Sequence, residues 1–347
     1  MIRFNTAAAL LVAALAPAAH CAEPAVRHLQ RSYAGGDLDL YVGGGRCVLA
    51  LDGSLNSAAE QALDAGLREL QREGCRRGTM VFNVSGGTPA VAYRLADFLS
   101  KNAFDTVVAE GGQCYSACAY AFLGGRTRHV AEGARYGVHQ HSQSDGSCAL
   151  ELGTAEQERL RGVVQRALPQ PAAERLVTRV MATDCRRMDV LSREDLQTLA
   201  VSTTTQLPLE PAFREAMARR AAQALAELRG PADQPWRRLT GDARLTLYTR
   251  GAAEAVAEGR QRLRALTSFT ADDTDGASGL RYRSHLTLSD IDCTQRTMTP
   301  VRGAYTREAM GEGVVLRQTG RGATQTIAAG TAAAVLYRAA CGQPLPN

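Results

Sequence analysis

Ser116 stands where a β-branched run, Thr106-Val107-Val108-Ala109, has passed through glycines into a helical run from Ala117 to Leu123 that Gly124-Gly125 stops. A hydroxyl at a helix start lies beside unpaired backbone N–H groups and the positive end of the helix dipole, surroundings that stabilise an oxyanion. The commoner use of such a serine is as an N-cap, so the segment alone favours capping. Two neighbouring segments add chemistry. Upstream, Thr79 to Val84 reads as a buried strand running into Ser85-Gly86-Gly87, then a helix with Thr88 as N-cap and Pro89 at its first position. Paired glycines let backbone approach a ligand closely. Downstream, Tyr136 to Gln140 reads as a strand carrying His139, whose imidazole is the side chain best suited to take a serine proton near neutral pH.

In this order these segments resemble the Clp-type serine peptidase and crotonase superfamily, in particular the exported Clp-protease-like proteins of bacteria, over roughly residues 45 to 205. Asn83-Val84-Ser85-Gly86-Gly87 is similar to the family's Asn-Ser-Pro-Gly-Gly loop. Gly112-Gln113-Cys114-Tyr115-Ser116, with Ala121-Phe122-Leu123 behind it, is similar to its Gly-Gln-Ala-Ala-Ser nucleophile segment, and Val138-His139-Gln140 to its Ile-His-Gln. The resemblance implies a fold of repeated strand–helix units that hydrolyses peptide bonds. It implies Ser116 as nucleophile, His139 as general base, and the backbone N–H groups of Gly87 and Ala117, with Gly86 beside them, as the oxyanion and substrate-binding loop. The family's aspartate precedes a Phe-Leu-Ser segment. Aligned on Leu191-Ser192, Met188 falls in its place, Asp189 lies one residue away and Asp184 further off. Asp189 is the expected third member, with Asp184 the alternative. A serine–histidine pair without its orienting carboxylate holds its tautomer poorly and works slowly.

The elements that must position these residues are legible from caps and periodicity. Ser57-x-x-Glu60 reads as a capping box before a helix with Leu63, Leu67 and Leu70 on one face, and Thr154-x-x-Gln157, Pro171 and Ser192-x-x-Asp195 open three more. The expected fold class is α/β: Clp-protease/crotonase-like strand–helix units over residues 23–205, a helical linker at 206–240 broken by Gly230-Pro231, and a small, mainly β domain at 241–347. Within that last domain Tyr282-Arg283-Ser284, Asp290-Ile291-Asp292-Cys293, Tyr305, Met310-Gly311, Gly313-Val314-Val315 and Cys341 resemble the β domain of surface-adhesin protein E-like proteins, from about residue 265.

A chain of 347 residues that is 45% hydrophobic can bury two ordinary cores. Its formal charge of +5 comes from scattered arginine with Lys101 the sole lysine, which argues against a nucleic-acid surface. Residues 1–22 read as a signal peptide, with Arg3, an apolar run from Ala7 to Ala16 and Pro17 opening a small-residue region where cleavage after Ala18 fits best. That run is shorter than the ~20 residues a spanning helix needs. The chain is therefore expected to be periplasmic or secreted and not membrane-spanning.

Export makes Cys47, Cys75, Cys114, Cys118, Cys148, Cys185, Cys293 and Cys341 an even set in an oxidising compartment, with Cys21 left over. Disulfides are expected, their connectivity open; the competing use is a metal site with His139-x-His141. No metal and no cofactor is expected. The partner is a protein or peptide, and homo-oligomers are open because Clp-type relatives form rings. Beside the peptidase stand a non-catalytic envelope or secreted binding protein on the same scaffold and, weakest, a crotonase-type acyl-CoA enzyme.

Overall fold

A computed structural model describes residues 26–141, 148, 154–275 and 280–344. The expected signal peptide and Cys21 lie outside the described residues. The first part of the chain runs β1 (Arg27–Tyr33), β2 (Gly36–Gly43), β3 (Arg46–Leu55), α1 (Ser57–Arg72), β4 (Arg77–Gly87), α2 (Pro89–Lys101), β5 (Asp105–Val108), β6 (Gln113–Tyr115), α3 (Ala117–Phe122), β7 (Arg128–Val130), β8 (Arg135–Val138), α4 (Thr154–Ala167), α5 (Gln170–Ala182), β9 (Asp189–Val190) and α6 (Arg193–Thr198). Its strands form one nine-stranded sheet in the order β1-β2-β3-β4-β6-β8-β9, with β5 on β4 and β7 on β5. The opening strands form an antiparallel meander, and β3 through β8 pair in parallel. The sheet forks at β4. Its first half feeds β5 and its carboxyl end meets β6 through Val84 and Cys114.

Parallel strands covered on both faces are mostly apolar, and polar groups within them must be paired. All four residues of β5 are buried, Asp105 held by Arg126 at 3.0 Å and the Thr106 hydroxyl donating to the Phe122 carbonyl at 2.9 Å, as are Gly78 to Phe82 of β4. Helix α1 buries Ala59, Leu63, Gly66 and Leu70, one stripe at helical spacing. Its cap is Asn56, whose side chain accepts the Ala59 N–H at 2.9 Å. The expected Ser57/Glu60 box therefore does not form, and Glu60 is held by Arg94 at 2.6 Å. The Ser192/Asp195 box does form.

After α7 (Pro211–Arg229) come β10 (Arg237–Gly241), β11 (Leu245–Thr249), β12 (Glu254–Ala257), β13 (Arg260–Asp275), β14 (Leu280–Asp292), β15 (Thr297–Thr306), β16 (Val315–Thr319), β17 (Gln325–Thr326) and α8 (Ala332–Cys341). These strands form a second, antiparallel sheet ordered β10-β11-β13-β14-β15-β16. The chain is thus mixed α/β with a mainly β C-terminal part, as its patterning predicts. Helix α7 is shared: Phe213 and Ala216 pack with Tyr41, Val48, Val81 and Val107 of the first sheet, and Leu228 packs with Leu266, Leu286 and Leu288 of the second.

The sheets also meet at a polar joint. Gly320 N–H donates to Asp52 Oδ1 at 2.5 Å, Arg321 N–H to Asp37 at 3.1 Å, and Asn83 Nδ2 to both Asp52 (2.6 Å) and the Gln318 carbonyl (2.8 Å). Arg317 reaches Gln113 Oε1 at 3.0 Å.

Candidate active site

Ser116 lies between the end of β6 and the start of α3, where the chain turns from strand into helix. Its backbone takes φ 55°, ψ −122°, and its side chain makes no capping hydrogen bond although it holds the N-cap position. A non-glycine residue in that region costs of order 1–3 kcal/mol and persists only where its surroundings impose it. Those surroundings are identifiable. The Ser116 N–H donates to the Gly137 carbonyl at 3.0 Å. Gly86 and Gly87 run past at φ 134° and 143°, conformations closed to L side chains. A Cβ on Gly86 would stand 3.3 Å from Ser116 Cβ and 3.8 Å from its Oγ, so this glycine leaves the hydroxyl open on that side. Cys114 and Cys118 are bonded across the turn. Ala117, the first residue of α3, follows directly.

His139 lies one residue past β8, which runs parallel to β6 with Gly137 opposite Tyr115. Ser116 and His139 are therefore brought to the carboxyl ends of adjacent parallel strands, the edge where α/β sheets gather their ligands. Both are half-buried. His139 Nδ1 lies 2.8 Å from the Cys185 carbonyl oxygen. A carbonyl only accepts, so Nδ1 carries the hydrogen and donates it, leaving the Nε2 lone pair as the basic site. Burial pulls the imidazole below its ordinary pKa, opposed by that carbonyl and by the charge of Asp184, and so favours the neutral base at pH 7. The Cys148–Cys185 bond, with Cα atoms 5.3 Å apart, anchors the carbonyl.

Asp189, expected to orient His139, is placed elsewhere. In the antiparallel pairing of β8 with β9 it stands opposite Val138. Directly opposed residues share a face and successive residues alternate, so Asp189 projects on the face opposite to His139. Its carboxylate is held by Arg179 through bonds of 2.7 and 3.0 Å. Continuing the register by one residue sets Met188 on the face of His139, and its side chain indeed covers Gly137, where a Cβ would come within 2.7 Å of Met188 Cγ. Asp184 accepts the Arg186 N–H at 2.8 Å and bears on His139 through its charge alone. The acceptor that the sequence conceals is a main-chain carbonyl. Its sole sequence trace is the cysteine that fastens it.

The bridges are Cys47–Cys75, Cys114–Cys118, Cys148–Cys185 and Cys293–Cys341. His141, the partner in the metal alternative, is a core residue: its Nε2 lies 3.5 Å from the Tyr93 hydroxyl, its ring meets Tyr120 edge-on, and burial pushes its pKa down to about 4. Among the described residues the one group spaced like metal ligands is Cys148, Asp184 and Cys185, whose sulfurs are consumed in a disulfide. A cleft of about 660 Å³ lies between the sheets, bordered by Ser85, Tyr115 and Met188 on one side and Thr287, His285 and Tyr305 on the other.

Residues 236–342 match the family model of Surface-adhesin protein E. Solved structures similar to the chain include ClpP1 from Listeria monocytogenes, with 16% identity over 45% of this chain and 88% of that one and a TM-score of 0.37. Another is a mutant of the 1510-N membrane-bound stomatin-specific protease in complex with a substrate peptide, with 15% identity over 45% of this chain and 72% of that one and a TM-score of 0.36. No curated protein matches the chain.

Proposed function

We propose that the chain is an exported serine hydrolase of the Clp-protease-like kind, acting on peptide bonds with Ser116 as nucleophile and His139 as general base. One observation carries this reading: Ser116 occupies a helix-capping position without capping, held at φ 55° beside the strand that delivers His139. A serine serving only as a cap would take the relaxed backbone. In the proposed reaction Nε2 of His139 takes the Oγ proton as Oγ attacks the carbonyl carbon. The N–H groups of Gly87 and Ala117 receive the oxyanion, and the imidazolium protonates the leaving amine. Water, deprotonated by the same imidazole, then releases the acyl group from Ser116.

The Cys185 carbonyl fixes the correct tautomer but lacks the negative charge with which a carboxylate stabilises the imidazolium. Replacing a triad aspartate by asparagine costs ~10⁴-fold through the wrong tautomer. Because the tautomer here is right, a smaller deficit is expected, and the enzyme should be slow but measurable. Met188 in the carboxylate's place favours a second reading, a binding protein on the same scaffold. Labelling of the purified protein with a fluorophosphonate decides between them. Stoichiometric modification at Ser116, lost in Ser116→Ala and in His139→Ala, is expected of the hydrolase; a wild type that stays unlabelled leaves the binding protein.

A further inference from the structure

The Cys114–Cys118 bond closes a ring of five residues with Ser116 at its centre, joining the middle of β6 to the first turn of α3. Stabilisation through loop closure grows with the length enclosed. The separations of the four bridges are 4, 28, 37 and 48, so this one does least for the folded state by that route. Both cysteines have 0% exposure, which withdraws the sulfurs from exchange with solvent thiols. What remains is local geometry. A serine between a strand and a helix relaxes to negative φ with its hydroxyl on an N–H two or three residues ahead. Ser116 does neither. The Gly137 carbonyl holds its N–H and Gly86 clears its Cβ, but both act from the strand side. The cross-link ties the strand side to the helix side covalently across the serine, where the Tyr136 hydroxyl of β8 also donates to the Ala119 carbonyl of α3 at 2.8 Å.

We infer that the Cys114–Cys118 disulfide is a positioning element that keeps Ser116 out of the capping conformation and presents its hydroxyl as a nucleophile. What the hydroxyl then does rests on the hydrolase reading; the conformational claim does not. The test is a cycle on the full-length protein, comparing wild type with Cys114→Ala/Cys118→Ala, each with and without Ser116→Gly. Glycine takes positive φ freely, so in the cross-linked protein Ser116→Gly is expected to raise Tm by about 2–6 °C. Without the cross-link the serine is free to cap, and the same substitution should leave Tm unchanged or lower it. An equal rise in both backgrounds overturns the inference. If the alanine pair fails to fold, Cys114→Val/Cys118→Ala, which refills the buried volume, takes its place in the cycle. A second arm reads function: removing the cross-link should slow fluorophosphonate labelling of Ser116 by about 10- to 100-fold, with kcat for a peptide falling and KM steady. Labelling that is equally fast overturns the inference while sparing the hydrolase; an unlabelled wild type defeats the hydrolase, and the Tm cycle still decides the conformation.

Discussion

Proton inventory sets what each site residue can do. His139 must be neutral to accept a proton, and burial lowers its pKa below the ordinary 6.5. Activity should therefore be flat at neutral pH and fall on an acid limb centred below 6.5. Asp184→Asn removes a charge that raises the imidazole pKa, so kcat/KM measured against pH should show that limb moved to still lower pH. Asp189→Asn should leave the rate within about twofold, because its carboxylate serves Arg179, while costing some thermal stability. Ser116 and His139 were legible as residue types following a glycine pair. The histidine's partner was not, for two reasons. A carbonyl has no residue identity, and a slip of one position along a strand, from Met188 to Asp189, moves a side chain to the opposite face.

At the scale of elements, the glycine pair closing β4 shows how backbone shapes the site. Gly86→Ala forces a Cβ at φ 134° to within 3.3 Å of Ser116 Cβ, and should abolish most labelling at Ser116 at a cost of about 1–3 kcal/mol in denaturant titration. Gly87→Ala is worse, since its Cβ would fall 2.0 Å from the Leu55 carbonyl oxygen, backbone that cannot swing aside. It should prevent folding at 37 °C, read as loss of far-UV dichroism in the purified protein. Strand β6 was missed in the sequence because Gln113-Cys114-Tyr115 is too short for alternation to register. The β-branched run before it, read as leading to the serine, is instead β5 on the other arm of the fork. Caps were legible where side chain and spacing agree, as at Ser192, and misplaced by one residue where Asn56 precedes a plausible Ser57.

For the whole molecule, the joint between the sheets centres on Asp52, a half-buried acid enclosed by both sheets. Asp52 is pushed up to about 7, mainly by burial, against the opposing hydrogen bonds from Gly320 and Asn83. Its folded-state pKa exceeds its unfolded one, so its contribution is full below about pH 4 and is lost as pH rises toward 7, at most about 4 kcal/mol. His141 and His285, each held down to about 4 by burial, act oppositely: their contribution is present above 6.5 and lost as pH falls toward 4. Thermal melts between pH 4 and 7 should therefore show a shallow profile in wild type. Asp52→Asn, stripped of the falling component, should gain a clear upward slope; an unchanged profile would remove Asp52 from the account. None of this joint was legible in advance, because Asp37, Asp52 and Asn83 meet Gln318 to Arg321 across more than half the chain. The shared helix α7 has an evolutionary consequence. Recombination that exchanged the second sheet at a crossover just before Pro211 would strip Tyr41, Val48, Val81 and Val107 of their cover. A crossover after Arg229 would carry that cover with the first sheet but take Leu228 away from Leu266, Leu286 and Leu288. A seam on either side of α7 thus uncovers one of the two cores, and lineages that trade their C-terminal parts should show compensating changes in whichever core loses the helix.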